Sequence, residues 1–253
     1  MIQARRRFGQ NFLIEKSTIA RIIESLKISP QDSVIEIGPG KGALTERLVK
    51  SQCNLTLIEI DKDLVDTLKR KYQGLSIVNE DVLKVDFSSF FGIEPKRIIG
   101  NLPYNISTPL LFKLSRFNER IIDMHVMLQK EVAERIVSES SRKEYGRLSV
   151  SIQLLWEVTK LFDVSPTAFS PQPKVNSSFI CLKPKKKINF DRDLMNQLLT
   201  SAFSARRKTL KNALRNYLNE SELRSIDIDP GSRPENLIPE DFIRCVNFLK
   251  KKL

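Results

Sequence analysis

The chain has 253 residues, 41% of them hydrophobic, which is enough to build a sizeable core and suits one large domain with a small one beside it. It carries 42 Lys and Arg against 30 Asp and Glu, a net charge of +12 that attracts polyanions, and residues 183–253 hold 16 of the basic side chains against only 9 acidic ones. No apolar run reaches the roughly 18 residues of a membrane span, and the basic N-terminus lacks the apolar stretch of a signal peptide, so the reading is of a cytoplasmic protein with no membrane partner.

In chain order, "DSVIEIG" (32–38) reads as a short buried strand, "ALTERLVKSQ" as a helix, "NLTLIEID" (54–61) as a strand, "KDLVDTLKRKY" as a helix and "LSIVNED" as a third strand. "KRIIGN" follows as a strand, "PLLFKLSRF" as a helix, "IIDMHVMLQ" as a strand and "KEVAERIVSES" as a helix. Strands alternating with helices imply βαβ units and a parallel sheet. "SVSIQLLWEVTKLFDV" and "SSFICLKP" read as late strands suited to an antiparallel edge. Pro184 and the run Lys185-Lys186-Lys187 mark a linker, and "DLMNQLLTSAFSARRKTLKNALRNYL" is helical throughout, which predicts a small all-helical domain. Three cysteines, far apart and without a CxxC pair, argue against a disulfide frame or a zinc site, and the single His125 reads as structural, so no metal is expected.

The first chemical signal is "EIGPGKG", in which Gly38, Gly40 and Gly42 follow the first strand and open the first helix. Glycines there let backbone approach a ligand at the carboxyl edge of the sheet, but the pattern is neither the GxGxxG dinucleotide fingerprint nor a phosphate loop. Glu59 ends the second strand, where a carboxylate accepts from two ribose hydroxyls, and Asp81 ends the third, where one accepts from an adenine amino group. A glycine turn beside an amino-acid moiety, an acid for ribose and an acid for adenine outline S-adenosylmethionine. The alternative is that both acids are ordinary strand-end caps.

At the end of the fourth strand stands "GNLPYNIS" (100–107), where Pro103 fixes its own φ and pushes Leu102 out of the helical region, so that Asn101 to Tyr104 is expected to form a stiff extended loop. The exocyclic amine of adenine is a poor nucleophile because its lone pair is delocalised into the ring. The Asn101 side-chain oxygen and the Leu102 carbonyl can accept its two hydrogens and draw the nitrogen toward tetrahedral geometry, while Tyr104 offers a ring for the base to stack on. No strong general base is needed, since the nitrogen becomes acidic once methylated. Phe169, in "AFSPQPKV", is the candidate for a second ring over the base, with core packing as the alternative.

Together "RRRFGQNFL" (5–13), "IEIGPGKGALTE" (35–46), "IEID" (58–61), "GNLPYNISTPLLFKL" (100–114), "HVMLQKEVAERI" (125–136), "YGRLSV" (145–150), "AFSPQPKVNSS" (168–178) and "AFSARRKTLKNAL" (202–214) resemble the bacterial small-subunit ribosomal RNA adenine N6,N6-dimethyltransferases nearly end to end. That resemblance implies an α/β fold with a Rossmann-like class I methyltransferase sheet, a catalytic domain over 1–183 and a helical, basic RNA-binding domain over 188–253. It further implies that Asn11 and Leu13 cover the cofactor, that Gly38, Glu59, Asp81 and Asn101 bind it, and that the NLPY loop with Phe169 receives adenine. The implied reaction is methylation of two adjacent adenosines in a hairpin loop near the 3' end of 16S rRNA, on the assembling small subunit, by a monomer. Arg206, Arg207, Lys208 and Lys211 share a predicted helix and are the candidate RNA contacts. The rival readings are a large-subunit rRNA adenine methylase conferring antibiotic resistance, which shares the NxPY loop, and a non-catalytic RNA-binding assembly factor.

Overall fold

A computed structural model describes the chain apart from residues 1–4, 6, 7, 93, 187, 188, 205, 206 and 253; Lys187 of the linker, the predicted boundary at 188 and the candidate RNA contact Arg206 lie outside the described residues. The elements run β1 (Phe12–Leu13), α1 (Lys16–Leu26), β2 (Ser33–Ile37), α2 (Thr45–Lys50), β3 (Asn54–Glu59), α3 (Lys62–Lys71), β4 (Ser76–Asn79), β5 (Lys96–Asn101), α4 (Tyr104–Leu114), β6 (Ile121–Gln129), α5 (Lys130–Val137), α6 (Arg147–Gln153), β7 (Trp156–Val164), β8 (Phe169–Ser170) and β9 (Ser177–Pro184). Then come α7 (Arg192–Phe203), α8 (Leu210–Ala213), α9 (Glu220–Ser225) and α10 (Pro239–Lys252). One unit is made of the residues up to Ala133 with Val158–Pro184, the other of Glu134–Glu157 with the residues from Lys185 onward.

In the first unit seven strands form one sheet in the order β4-β3-β2-β5-β6-β9-β7. Neighbours from β4 to β6 pair in parallel and β9 runs antiparallel to β6, as the late-strand reading expects. All five residues of β2 are buried, because a central parallel strand is covered on both faces and must read as a continuous apolar run. Ile37 lies opposite Ile58 on one side and Gly100 on the other, so the carboxyl ends of β2, β3 and β5 reach the same edge. The chain runs outward from β2 to β3 and β4 on one side and from β5 to β6 on the other, so the strand order reverses between β2 and β5, which opens a crevice there.

The amino end of the sheet is held differently. Arg97 of β5 is buried and donates to Asp123 Oδ1 (3.1 Å) and Oδ2 (2.8 Å), to Asp32 Oδ2 (3.0 Å) and to the Leu26 and Lys27 carbonyls. Burial alone would raise the Asp123 carboxyl, but His125 and Arg97 beside it hold it below the usual range.

Several local readings change in three dimensions. Helix α1 was absent from the sequence reading, although Ile19, Ile22, Ile23 and Leu26 repeat at helical spacing and pack into the sheet's core. The extended loop expected over Asn101–Tyr104 is shorter: β5 ends at Asn101, and Pro103 (φ −56°, ψ 133°) already caps α4. Residues 149–153, read as the start of a strand, lie in the helix Arg147–Gln153. Val150 and Leu154 are four residues apart, one helical turn, and join the core of the second unit with Tyr145, Met195, Leu198 and Phe242. For the same reason the segment Glu134–Glu157, which the sequence reading put in the first domain, belongs to the second unit.

The single long helix expected from residue 193 is also broken. Helix α7 stops at Phe203, Thr209 is extended (φ −69°, ψ 160°), and the first N–H groups of α8 donate to Ser232 and Pro230 carbonyls. Arg207 and Lys208 therefore sit exposed in a turn and do not share a helix with Lys211, which pairs with Glu220 at 3.0 Å.

Candidate active site

The crevice holds a cavity of about 320 Å³ lined by residues of the glycine turn, the ends of β3, β4 and β5, the start of α4 and the segment Phe8–Leu13. Asn11, Leu13, Gly38, Glu59, Asp81, Asn101, Leu102 and Tyr104, eight of the predicted site residues, are among its lining. Its size suits a small-molecule ligand.

Two glycines are required by geometry. Gly38 turns the chain off β2 with φ +67°, and its N–H donates to the Ile58 carbonyl at 2.9 Å. Gly40 has φ +56°, and a Cβ there would come within 2.9 Å of the Phe12 ring, so no side chain fits between the turn and the N-terminal segment. Its N–H donates to Glu59 Oε2 at 3.1 Å, and Glu59 Oε1 accepts from the Asp61 N–H at 3.0 Å. Burial pushes the Glu59 carboxyl above its ordinary value, while those two N–H groups oppose the shift. Each oxygen keeps a second lone pair for a ligand hydroxyl.

Glu36 belongs to the cavity wall and was missed in the sequence. It is buried inside β2, accepts from Thr45 Oγ1 at 2.7 Å, and has its carboxyl pushed up to about 7 by burial, with the neighbouring Glu59 adding to the shift. The signal was there: an acid within an otherwise apolar, doubly covered strand needs a partner. Since the folded protein retains this proton above the unfolded value of about 4.3, this group's contribution to stability falls as pH rises from there through about 7 and then levels off. Glu36→Gln keeps the Thr45 bond without the ionisation, so it should raise ligand-free stability at pH 8 and leave it unchanged at pH 4, as read by urea unfolding at both.

The remaining polar groups are held by local bonds. Asp81 Oδ1 accepts from the Leu83 N–H at 2.9 Å. Asn101 Nδ2 donates to the Asn11 carbonyl at 2.9 Å, which leaves its oxygen as the acceptor end of the amide. Tyr104 shares a 2.7 Å hydrogen bond with Ser177, and burial raises its phenol despite that bond. The segment over the cavity is tied down by Gln10 Nε2 and Arg5 Nη1, which donate to the two oxygens of buried Asp61 at 3.0 and 3.1 Å, and by pairing of β1 with β8.

Phe169 is not in this group. In β8 it lies opposite Leu13, is 2% exposed, and packs in the sheet's core with Phe162 and Phe179. Its burial and its pairing with Leu13 favour core packing, the alternative reading, over the base-stacking role. Cys53, Cys181 and Cys245 form no disulfide, and Cys181 and Cys245 are buried. Among the described residues no group of three or more His, Cys, Asp or Glu can hold a metal ion, and no helix is long and apolar enough to cross a membrane.

A mostly parallel Rossmann-like sheet with four carboxyl side chains and a close-packed glycine turn at its switch point defines an S-adenosylmethionine-dependent methyltransferase. The chain belongs to the ribosomal RNA adenine dimethylase family, whose pattern matches residues 1–251. It is 48% identical over 251 residues to a ribosomal RNA small subunit methyltransferase A of Nitrosomonas eutropha, covering 98% of this chain and 97% of that one. Its fold is similar to a dimethyladenosine transferase of Plasmodium falciparum (TM-score 0.84, 29% identity, 95% of this chain and 98% of that one). It is also similar to the 23S rRNA methyltransferase ErmE (TM-score 0.73, 27% identity, 95% and 100%).

Proposed function

We propose that this enzyme dimethylates N6 of two adjacent adenosines in a hairpin loop near the 3' end of 16S rRNA. The observation that carries the reading is the Asn101 amide, which stands at the cavity of Glu59 and Asp81 with its NH2 end taken by Asn11. When bound, S-adenosylmethionine supplies an electrophilic methyl group. Glu59 accepts from the ribose hydroxyls, Asp81 from the adenine amino group, and Asn11 and Leu13 close over them. Asn101 Oδ1 and the Leu102 carbonyl accept the two N6 hydrogens of the target base, which localises the nitrogen lone pair. Tyr104 supplies the ring on which that base stacks. The small-subunit substrate is favoured over the large-subunit one because identity to the small-subunit relative is 48%, against 27% to ErmE.

The second unit is the RNA-binding part in this reading, with Arg206, Arg207, Lys208 and Lys211 as contacts to the RNA backbone, Arg207 and Lys208 from a turn and Lys211 from the helix that follows it. The enzyme works as a monomer in the cytoplasm and needs no metal. Radiolabelled methyl transfer to small subunits lacking the modification and, in parallel, to unmodified 23S rRNA, with digestion to nucleosides, tests the whole assignment: N6,N6-dimethyladenosine from 16S rRNA is expected, and label confined to 23S rRNA would reverse it. Glu59→Ala should weaken S-adenosylmethionine binding by about 1–3 kcal/mol, the worth of hydrogen bonds to a charged group. Unchanged affinity in calorimetry would remove Glu59 from the ribose.

A further inference from the structure

Lys113, on the last turn of α4, points its ammonium at a loop that the cofactor reading needs. Its Nζ donates to the carbonyls of Val82 (3.3 Å), Leu83 (2.7 Å) and Val85 (2.5 Å), and lies 5.3 Å from the centre of the Phe87 ring. Those carbonyls belong to the turn directly after Asp81. The N–H groups of the same turn go the other way: Leu83 donates to Asp81 Oδ1 at 2.9 Å, and Lys84 and Val85 to the Asp81 carbonyl at 2.7 and 3.1 Å. Asp81 gathers the donors of the turn and Lys113 gathers its acceptors. With the carbonyls unpaired, a half-buried turn would rotate to seek water, and the Asp81 carboxylate would move with it.

We infer that Lys113 is a positioning residue for the adenine end of the cofactor site, fixing Asp81 and Val82 in the cavity wall through the backbone of residues 82–85. The inference rests on the reading that Asp81 accepts from the adenine amino group. It makes no use of contact between Lys113 and any ligand.

A double-mutant cycle tests it, with the dissociation constant for S-adenosylmethionine measured by calorimetry on the full chain. Lys113→Met should weaken binding about 10-fold, while kcat at saturating cofactor stays within about two-fold, and Lys113→Arg should recover most of the affinity. Asp81→Ala should weaken binding too, and the double variant should be no worse than the weaker single one, because both changes disable the same carboxylate. If Asp81→Ala weakens binding and Lys113→Met does not, or if the two losses add, Lys113 does not act through Asp81 and the inference fails alone. If Asp81→Ala itself binds normally, the adenine assignment fails and takes the inference with it. Should Lys113→Met be unfolded at the assay temperature, Lys113→Gln, whose shorter side chain keeps an NH2 donor group, replaces it, with a loss of affinity expected between those of the Met and Arg variants and the same test of additivity with Asp81→Ala.

Discussion

Asn101→Ala should lower kcat for methyl transfer about 100-fold even at saturating cofactor and RNA, comparable to removing one preorganised hydrogen-bonding group from a reacting centre. The reason is electronic. The N6 lone pair of adenine is shared with the ring, and the amine attacks only when its two hydrogens are drawn out of the ring plane by acceptors held in place beforehand. In the proposed mechanism one acceptor is the Leu102 carbonyl, which substitution of a side chain leaves intact. The other is Asn101 Oδ1, whose orientation is set because Nδ2 donates to the Asn11 carbonyl at 2.9 Å. Asn101→Asp should also fall, since its second oxygen would face that carbonyl as an acceptor against an acceptor. Asn11→Ala keeps the backbone carbonyl and should retain far more activity. A single-turnover rate for Asn101→Ala within about three-fold of the unaltered enzyme would sink this account of the amine's activation.

Phe169→Ala should cost about 3–5 kcal/mol of folding stability, the range for emptying a fully buried aromatic site. The ring is 2% exposed and sits in the same core as Leu13, Phe162 and Phe179, so its neighbours have no solvent to yield to. The strand pair of Leu13 with Phe169 also carries the chain into the segment that forms one wall of the cavity. Loss of the ring should therefore loosen cofactor binding as a secondary effect. Phe169→Leu retains most of the volume and should cost less than about 1.5 kcal/mol. Urea unfolding of the three proteins checks the order. A Phe169→Ala enzyme of unaltered stability that has lost turnover would return this residue to the target base.

Much of the first unit was legible in the chain because its signals are local. Parallel strands covered on both faces are mostly apolar, so "VIEI", "LTLI" and "RIIG" stand out, and the polar residues that end each strand or closely follow it fall at the carboxyl edge where ligands bind. Glu59, Asp81 and Asn101 could be picked in this way, and the glycine turn beside them, without knowing which strands are neighbours. Tertiary structure decided what depends on a distant partner. Whether Phe169 faces a ligand or the core turns on its pairing with Leu13, 156 positions earlier in the chain. The helix expected through residue 209 breaks because carbonyls of Pro230 and Ser232 claim the N–H groups of α8, and helix propensity carries no information about them. Residues 147–153 are helical because the core they complete is built from α7 and α10, which lie far along the chain. Glu36 and Lys113 read as an oddity in a strand and a charge on a helix. Only the fold, by burying one beside Glu59 and aiming the other at three carbonyls, gives them their environments.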